Sequence, residues 1–240
     1  GSECEIEDEH NEIRTHIDTL VQFFNEARQY QILDNKQRDL KLESLKKVLE
    51  GSQTLYIHVN SVVGIKESVL FAKKNNINKI ILVGASESWR ITDFLVKHNI
   101  SIILGRVHSL PTYTDDDIDQ SYKTPKILKE AGITFCLDYY GDMERMGSRN
   151  LPFLAGTTVA YGLSKEEALE LITLNAAKIL NIDTRTGSLE VGKDANLFIS
   201  SGDALDILTN HVELIFLMGK LVSTQNHQTN LYDKYLSKYN

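Results

Sequence analysis

From Glu5 to Leu49 apolar residues recur at spacings of three and four: Ile13, Ile17, Leu20, Val21 and Phe24, then Leu40, Leu42, Leu45, Val48 and Leu49. That period gathers them on one face of a helix, so two helices joined near Asp34 and Asn35 are expected. After Gly51 the texture changes. Leu55-Tyr56-Ile57-His58-Val59 is a short apolar run, and three more follow at Lys79 to Val83, Ser101 to Leu104 and Thr134 to Leu137. Each is preceded by a segment of helical pattern and ends near Gly, Asn or Asp, which marks strands bounded by turns. Strands alternating with helices predict parallel pairing through right-handed crossovers.

Beyond Arg149 the pattern is helical to Leu180, and Ser164 with Glu167 forms a capping-box spacing ahead of Ala168, Leu171, Ile172 and Ile179. The period then becomes two. Leu189, Val191, Ala195, Leu197 and Ile199 predict one strand region, and Leu214 to Leu217 with Leu221 and Val222 predict a hairpin about Gly219. A short closing helix is expected from Asn230 to Asn240, carrying Leu231, Tyr235 and Leu236.

Composition narrows the classes. A chain of 240 residues, 42% hydrophobic and 25% charged, has the balance of an ordinary globular protein. Its formal charge of -7 argues against nucleic acid as a partner, since that affinity rests on clustered Lys and Arg. The acidic runs Glu3 to Glu12 and Asp115 to Asp119 read as solvated faces or loops. The two cysteines, Cys4 and Cys136, imply no disulfide framework, and Cys136 in its apolar run is expected in the core. No stretch has the apolar length of a membrane span, and no signal segment precedes the first helix. Gly1-Ser2 reads as a tag-cleavage remnant, which leaves the compartment open. No Gly-x-Gly-x-x-Gly follows a strand, which disfavours a dinucleotide-binding enzyme.

Two stretches carry a resemblance. Arg149-Asn150-Leu151-Pro152-Phe153-Leu154-Ala155-Gly156 leads to Val159-Ala160-Tyr161-Gly162-Leu163-Ser164-Lys165-Glu166-Glu167-Ala168; then Ile172-Thr173-Leu174-Asn175-Ala176-Ala177-Lys178-Ile179-Leu180 precedes Gly187-Ser188-Leu189-Glu190-Val191-Gly192-Lys193-Asp194-Ala195-Asn196-Leu197. In this order and spacing, with Gly219-Lys220 in the late hairpin, they resemble the C-terminal half of imidazolonepropionase-like members of the amidohydrolase superfamily, from roughly Leu40 to the end. The motif residues have structural work of their own: Gly187 and Gly192 suit turns, and Asp194 can bond backbone amides. They identify the family and mark no active site.

The resemblance implies an α/β fold: the second half of a TIM-type (β/α) barrel over residues 51–182, a small β-domain with a C-terminal helix over 183–240, and an N-terminal helical segment over 1–50. It implies a hydrolase for non-peptide C-N bonds of a small-molecule substrate, with a divalent metal, zinc, as cofactor if the site is intact. Such enzymes draw metal ligands from a His-x-His pair on the first strand, a His on the fifth, often one on the sixth, and an Asp on the eighth. His58 corresponds to the fifth-strand ligand. The sixth-strand run Ile80 to Ala85 has no His, and Glu87 nearby is expected to cap the helix beginning near Trp89. Asp138, after Thr134 to Leu137, corresponds to the eighth-strand acid, both metal ligand and catalytic base, with Asp142 as a competing choice. Arg106 and His108 leave the seventh run and have two readings, substrate contacts or ordinary loop residues.

No His-x-His pair occurs in the chain, and four βα units stand where a closed barrel has eight. The expectation is therefore a C-terminal fragment or degenerate relative, inactive alone. It would be completed by a second copy in a homo-oligomer, by the missing N-terminal half, or by the N-terminal helices folded across the opening. The alternative is a non-catalytic half-barrel interaction module.

Overall fold

The helical period of the N-terminal stretch folds as one long helix, α1 (Ser2–Ile32), and two short ones, α2 (Leu40–Ser44) and α3 (Lys46–Leu49). The computed structural model describes residues 2–33, 37–139 and 144–239, so the expected joint at Asp34 and Asn35 lies outside the described residues. Asp39 starts α2 by accepting the N–H groups of Lys41 and Leu42, and the second expected helix breaks at Leu45. Among the described residues of α1, Phe24, Ala27 and Tyr30 are buried, while Leu20 of the expected stripe is exposed. Phe24 sets its ring edge-on to Phe71 at 5.4 Å, and Arg28 donates to the side chain (3.1 Å) and carbonyl (2.6 Å) of Asn75. Both partners belong to α4 (Val62–Lys74) or its C-terminal cap.

The chain divides into two compact units, Gly1–Ser101 and Ile102–Asn240. In the first, β1 (Leu55–Val59) and β2 (Ile80–Gly84) run parallel, paired from Leu55 with Ile80 to Val59 with Gly84, and α4 makes the crossover between them. Ser61 caps α4 by accepting the Gly64 N–H, and Ile65, Val69 and Ala72 turn its apolar face inward. β2 is buried along its whole length. A short 3-10 turn and α5 (Thr92–Lys97) complete the unit.

In the second unit β3 (Ser101–Leu104) and β4 (Phe135–Leu137) are again parallel, with Ile102, Ile103 and Leu104 opposite Phe135, Cys136 and Leu137. Between them lies α6 (Gln120–Glu130), anchored by buried Thr124 and Leu128. After α7 (Glu144–Gly147) come α8 (Leu151–Ala160), α9 (Lys165–Ile172) and α10 (Leu174–Ile179). The capping box at the head of α9 forms as expected: Ser164 accepts the Glu167 N–H, and the Glu167 carboxylate accepts the Ser164 N–H. Asn175 on α10 donates to the Phe135 carbonyl at 3.1 Å, tying that helix to β4.

The chain ends in an antiparallel sheet of β5 (Leu197–Ser200), β6 (Val212–Leu217) and β7 (Lys220–Val222), followed by α11 (His227–Tyr239). The hairpin expected about Gly219 is present. Met218 and Gly219 both take positive φ, 50° and 74°, the two-residue turn whose twist suits a hairpin. The strand expected from Leu189 to Ile199 is corrected to Leu197–Ser200. Leu189 and Val191 are exposed in a loop that turns at Gly187 and Gly192 and is closed by the Asp194 N–H on the Arg185 carbonyl. The result is a mixed α/β fold with parallel strands joined by helices. No helix among the described residues is long and apolar enough to cross a membrane.

Candidate functional site

The four residues singled out in the sequence all stand at or just beyond the C-terminal ends of parallel strands. In the first unit His58 is the penultimate residue of β1, opposite Val83; it and Tyr56 are exposed, while the alternating Leu55, Ile57 and Val59 are partly buried. That is the period-two pleat at work.

In the second unit Asp138 follows β4 directly. Its N–H donates to the Leu104 carbonyl at 2.9 Å, which carries the ladder one residue beyond the strand, and its carboxylate accepts the Tyr139 N–H at 2.7 Å. The side chain is half-buried. Its charge is felt two residues back: the Cys136 thiol is pushed up to about 12, by burial first and by Asp138 second. Cys136 is thus the core residue the sequence suggested. The competing acid Asp142 lies outside the described residues.

Beyond β3 the chain places Arg106 and His108 outward on either side of buried Val107, which pins the loop. The loop is tied further by Ser109, whose hydroxyl donates to the Arg106 carbonyl, and by the Ser121 hydroxyl on the Ser109 carbonyl. His108 Nε2 lies 2.7 Å from Thr157 Oγ1 on α8, and its ring stacks on Tyr122 of α6 with centroids 5.4 Å apart. Burial, and then the Arg106 charge, holds the His108 imidazole below its usual proton affinity. Sequence reasoning missed Thr157 and Tyr122; both sit in ordinary helical pattern, and nothing local signals their partner.

Glu87 corrects an expectation. Its carboxylate does not cap the turn at Ser88–Ile91; it accepts the Val62 N–H at 2.8 Å, at the first turn of α4. The reason is the chain path: Ala85 and Glu87 bond back to the carbonyls of Val59 and Asn60, which swings the buried carboxylate over the free amides at the head of α4.

Among the described residues no three of His, Cys, Asp and Glu stand together as a group able to hold a metal ion. The described side chains therefore do not make up a closed metal centre by themselves.

Comparison with known proteins gives this geometry a family. Imidazolonepropionase from Thermoplasma volcanium is 28% identical over 171 residues, 65% of this chain and 42% of that protein. Imidazolonepropionase from Syntrophobacter fumaroxidans is 41% identical over 66 residues, 27% of this chain and 16% of that one. Among solved structures, an amidohydrolase from Thermotoga maritima superposes with a TM-score of 0.77 at 23% identity, covering 87% of this chain and 56% of its own. An adenosine deaminase from Xanthomonas campestris with bound zinc shares the fold at a TM-score of 0.52 and 14% identity, covering 83% of this chain and 53% of its own. The chain thus spans about half the length of such relatives, or less. The model of the amidohydrolase family matches residues 42–223, well over half of the sequence, and the chain belongs to that family.

Proposed function

We propose that this chain forms the second half of a TIM-type (β/α) barrel in a hydrolase of non-peptide C-N bonds, with residues 51–182 as the barrel half and 183–240 as the small domain. In this reading His58 and Asp138 are two of the ligands of a divalent metal, zinc, Asp138 is the catalytic base, and Arg106 and His108 contact a small-molecule substrate. The observation that carries it is position. In a chain of this family, each of the four lies at or just beyond the C-terminal end of a parallel strand, where barrels of this type keep their chemistry. The remaining metal donors come from outside this chain, from an N-terminal barrel half or a second copy, because the sequence holds no His-x-His pair.

Metal analysis of the protein assembled with the N-terminal barrel half or second copy that completes it, with hydrolysis assays on imidazolonepropionate and adenine, tests the reading. Bound zinc is expected, and it is expected to fall in both His58→Ala and Asp138→Ala. Asp138→Asn should lower kcat/KM by about 10²–10⁴, the usual worth of a general base. Zinc retained in both alanine variants would overturn the assignment. The second reading, a non-catalytic half-barrel module, is favoured by the lack of a three-ligand group among the described residues. An assembled protein that stays free of zinc and inactive would establish it.

A further inference from the structure

Thr157 has one hydroxyl proton and two neighbours. Its Oγ1 lies 3.0 Å from the Phe153 carbonyl, one turn earlier on α8, and 2.7 Å from His108 Nε2. A carbonyl oxygen only accepts, so the proton is spent on Phe153. Oγ1 then meets His108 with a lone pair, and Nε2 must be the donor. In a neutral imidazole that assignment leaves Nδ1 as the acceptor, and among the described residues no group donates to it. Burial and Arg106 both disfavour a second proton on the ring. Tyr122 holds the ring plane from one face, at 28° between planes, and Tyr161 backs Tyr122 at 5.4 Å.

We propose that Thr157 and Tyr122 are positioning residues that lock His108 as the Nε2–H tautomer, so that its Nδ1 accepts a hydrogen bond from an N–H or O–H of the substrate. The proposal rests on the reading of His108 as a substrate contact. It adds a chemical requirement to that reading. Beside the fixed positive charge of Arg106, His108 contributes an acceptor rather than a second cation. The loop then selects a ligand that presents a donor, such as the N–H of an amide or a cyclic amidine, and disfavours one whose nitrogen is fully substituted. Loss of the Thr157 oxygen frees the ring to take either tautomer, and a part of the population then offers the ligand a donor where an acceptor is needed.

The test is ¹⁵N NMR of the imidazole nitrogens on the ligand-free protein near neutral pH, with the His108 signals assigned by their loss in His108→Gln. Wild type should show a protonated Nε2 and an unprotonated Nδ1. Thr157→Ser, which keeps the oxygen and is expected to fold unchanged, should look the same; Thr157→Val should show a mixture. Tyr122→Phe should keep the wild-type spectrum, and Tyr122→Leu should broaden it. In hydrolysis, Thr157→Val should raise KM by about twofold at most, because only the fraction of rings in the other tautomer is lost to binding, with kcat little changed and Thr157→Ser near wild type. A wild-type Nδ1–H tautomer, or a Thr157→Val spectrum identical to wild type, would overturn the lock whether or not the protein hydrolyses either substrate. A locked tautomer with KM unmoved in Thr157→Val would overturn its role toward substrate. Failure of wild type to hydrolyse anything bears on the proposed function alone, because the spectrum still decides the lock.

Discussion

Gly156→Ala sets two effects of known size against each other. Gly156 sits inside α8, where alanine should add about 1 kcal/mol through helix propensity. The added methyl, however, would overlap the Leu205 carbonyl oxygen, with the carbonyl carbon at 3.1 Å and the Leu205 Cβ at 3.4 Å. Ordinary non-bonded contacts lie at about 3.5 Å, so helix or loop must withdraw by on the order of 1 Å. Neither yields easily. Leu154, Ala155 and Thr158 bury α8 on either side of the glycine, and Leu205 is itself buried, its N–H held by the Asp203 carboxylate at 2.9 Å. Overpacking against backbone belongs at the upper end of its usual range, about 3 kcal/mol, which leaves a net loss of about 2 kcal/mol. For a chain of this size that corresponds to a Tm lower by about 4–8 °C. Urea denaturation with unchanged slope would measure it. Gly64→Ala is the control: its methyl would meet side-chain atoms only, Val59 Cγ2 at 2.7 Å, which can turn away, and Ser61 Oγ at 3.1 Å, which need give by only a few tenths of an ångström while keeping its cap bond to the Gly64 N–H. Helix propensity should then offset most of the cost, within about 1 kcal/mol of wild type. A Gly156→Ala protein as stable as wild type would refute the claim that backbone contact decides this position.

Ser164→Ala removes the hydroxyl that accepts the Glu167 N–H and should cost about 1 kcal/mol in the same denaturation experiment; no loss would mean the capping box contributes nothing here. Cys136, its thiol pushed up to about 12 and buried, should resist iodoacetamide at about pH 8 and be alkylated only in denaturant, as read by peptide mass spectrometry; native labelling would contradict its burial. The His108 imidazole lies below its ordinary 6.5 in the folded state, so as the pH falls the unfolded chain takes the proton first. Its contribution is fully present above 6.5 and lost as the pH drops to the folded value. Wild type should therefore lose stability relative to His108→Gln as the pH falls below 6.5 toward the folded value, and a pH-independent difference would remove the effect.

Much of the fold was legible because it depends on neighbours along the chain. The capping box at Ser164 and Glu167 is a bond across three residues, and the Met218-Gly219 turn depends on two residues that take positive φ. The four strand cores, with α4 and α6 between the members of each pair, follow from apolar runs and the chain needed to cross over. The order of the late motifs was enough to place the chain in the amidohydrolase family. The strand ends Val59 and Leu137, and with them the positions of His58 and Asp138, were readable for the same reason.

What the sequence left open was set by partners far away along it. Alternation from Leu189 to Ile199 looked like one strand, but only Leu197–Ser200 finds β6 to pair with, and apolar residues without a partner remain in a loop. Among the described residues of α1, the buried ones lie where Phe71 and Asn75 stand opposite, at Phe24 and beside Arg28, while Leu20 of the stripe is exposed. The Glu87 carboxylate goes to an amide 25 residues earlier, and His108 to a hydroxyl 49 residues later. Periodicity reports which way a side chain faces, because that depends on the local backbone. Which atom waits there depends on how separate segments pack, and for Glu87 and His108 only the tertiary structure supplies it.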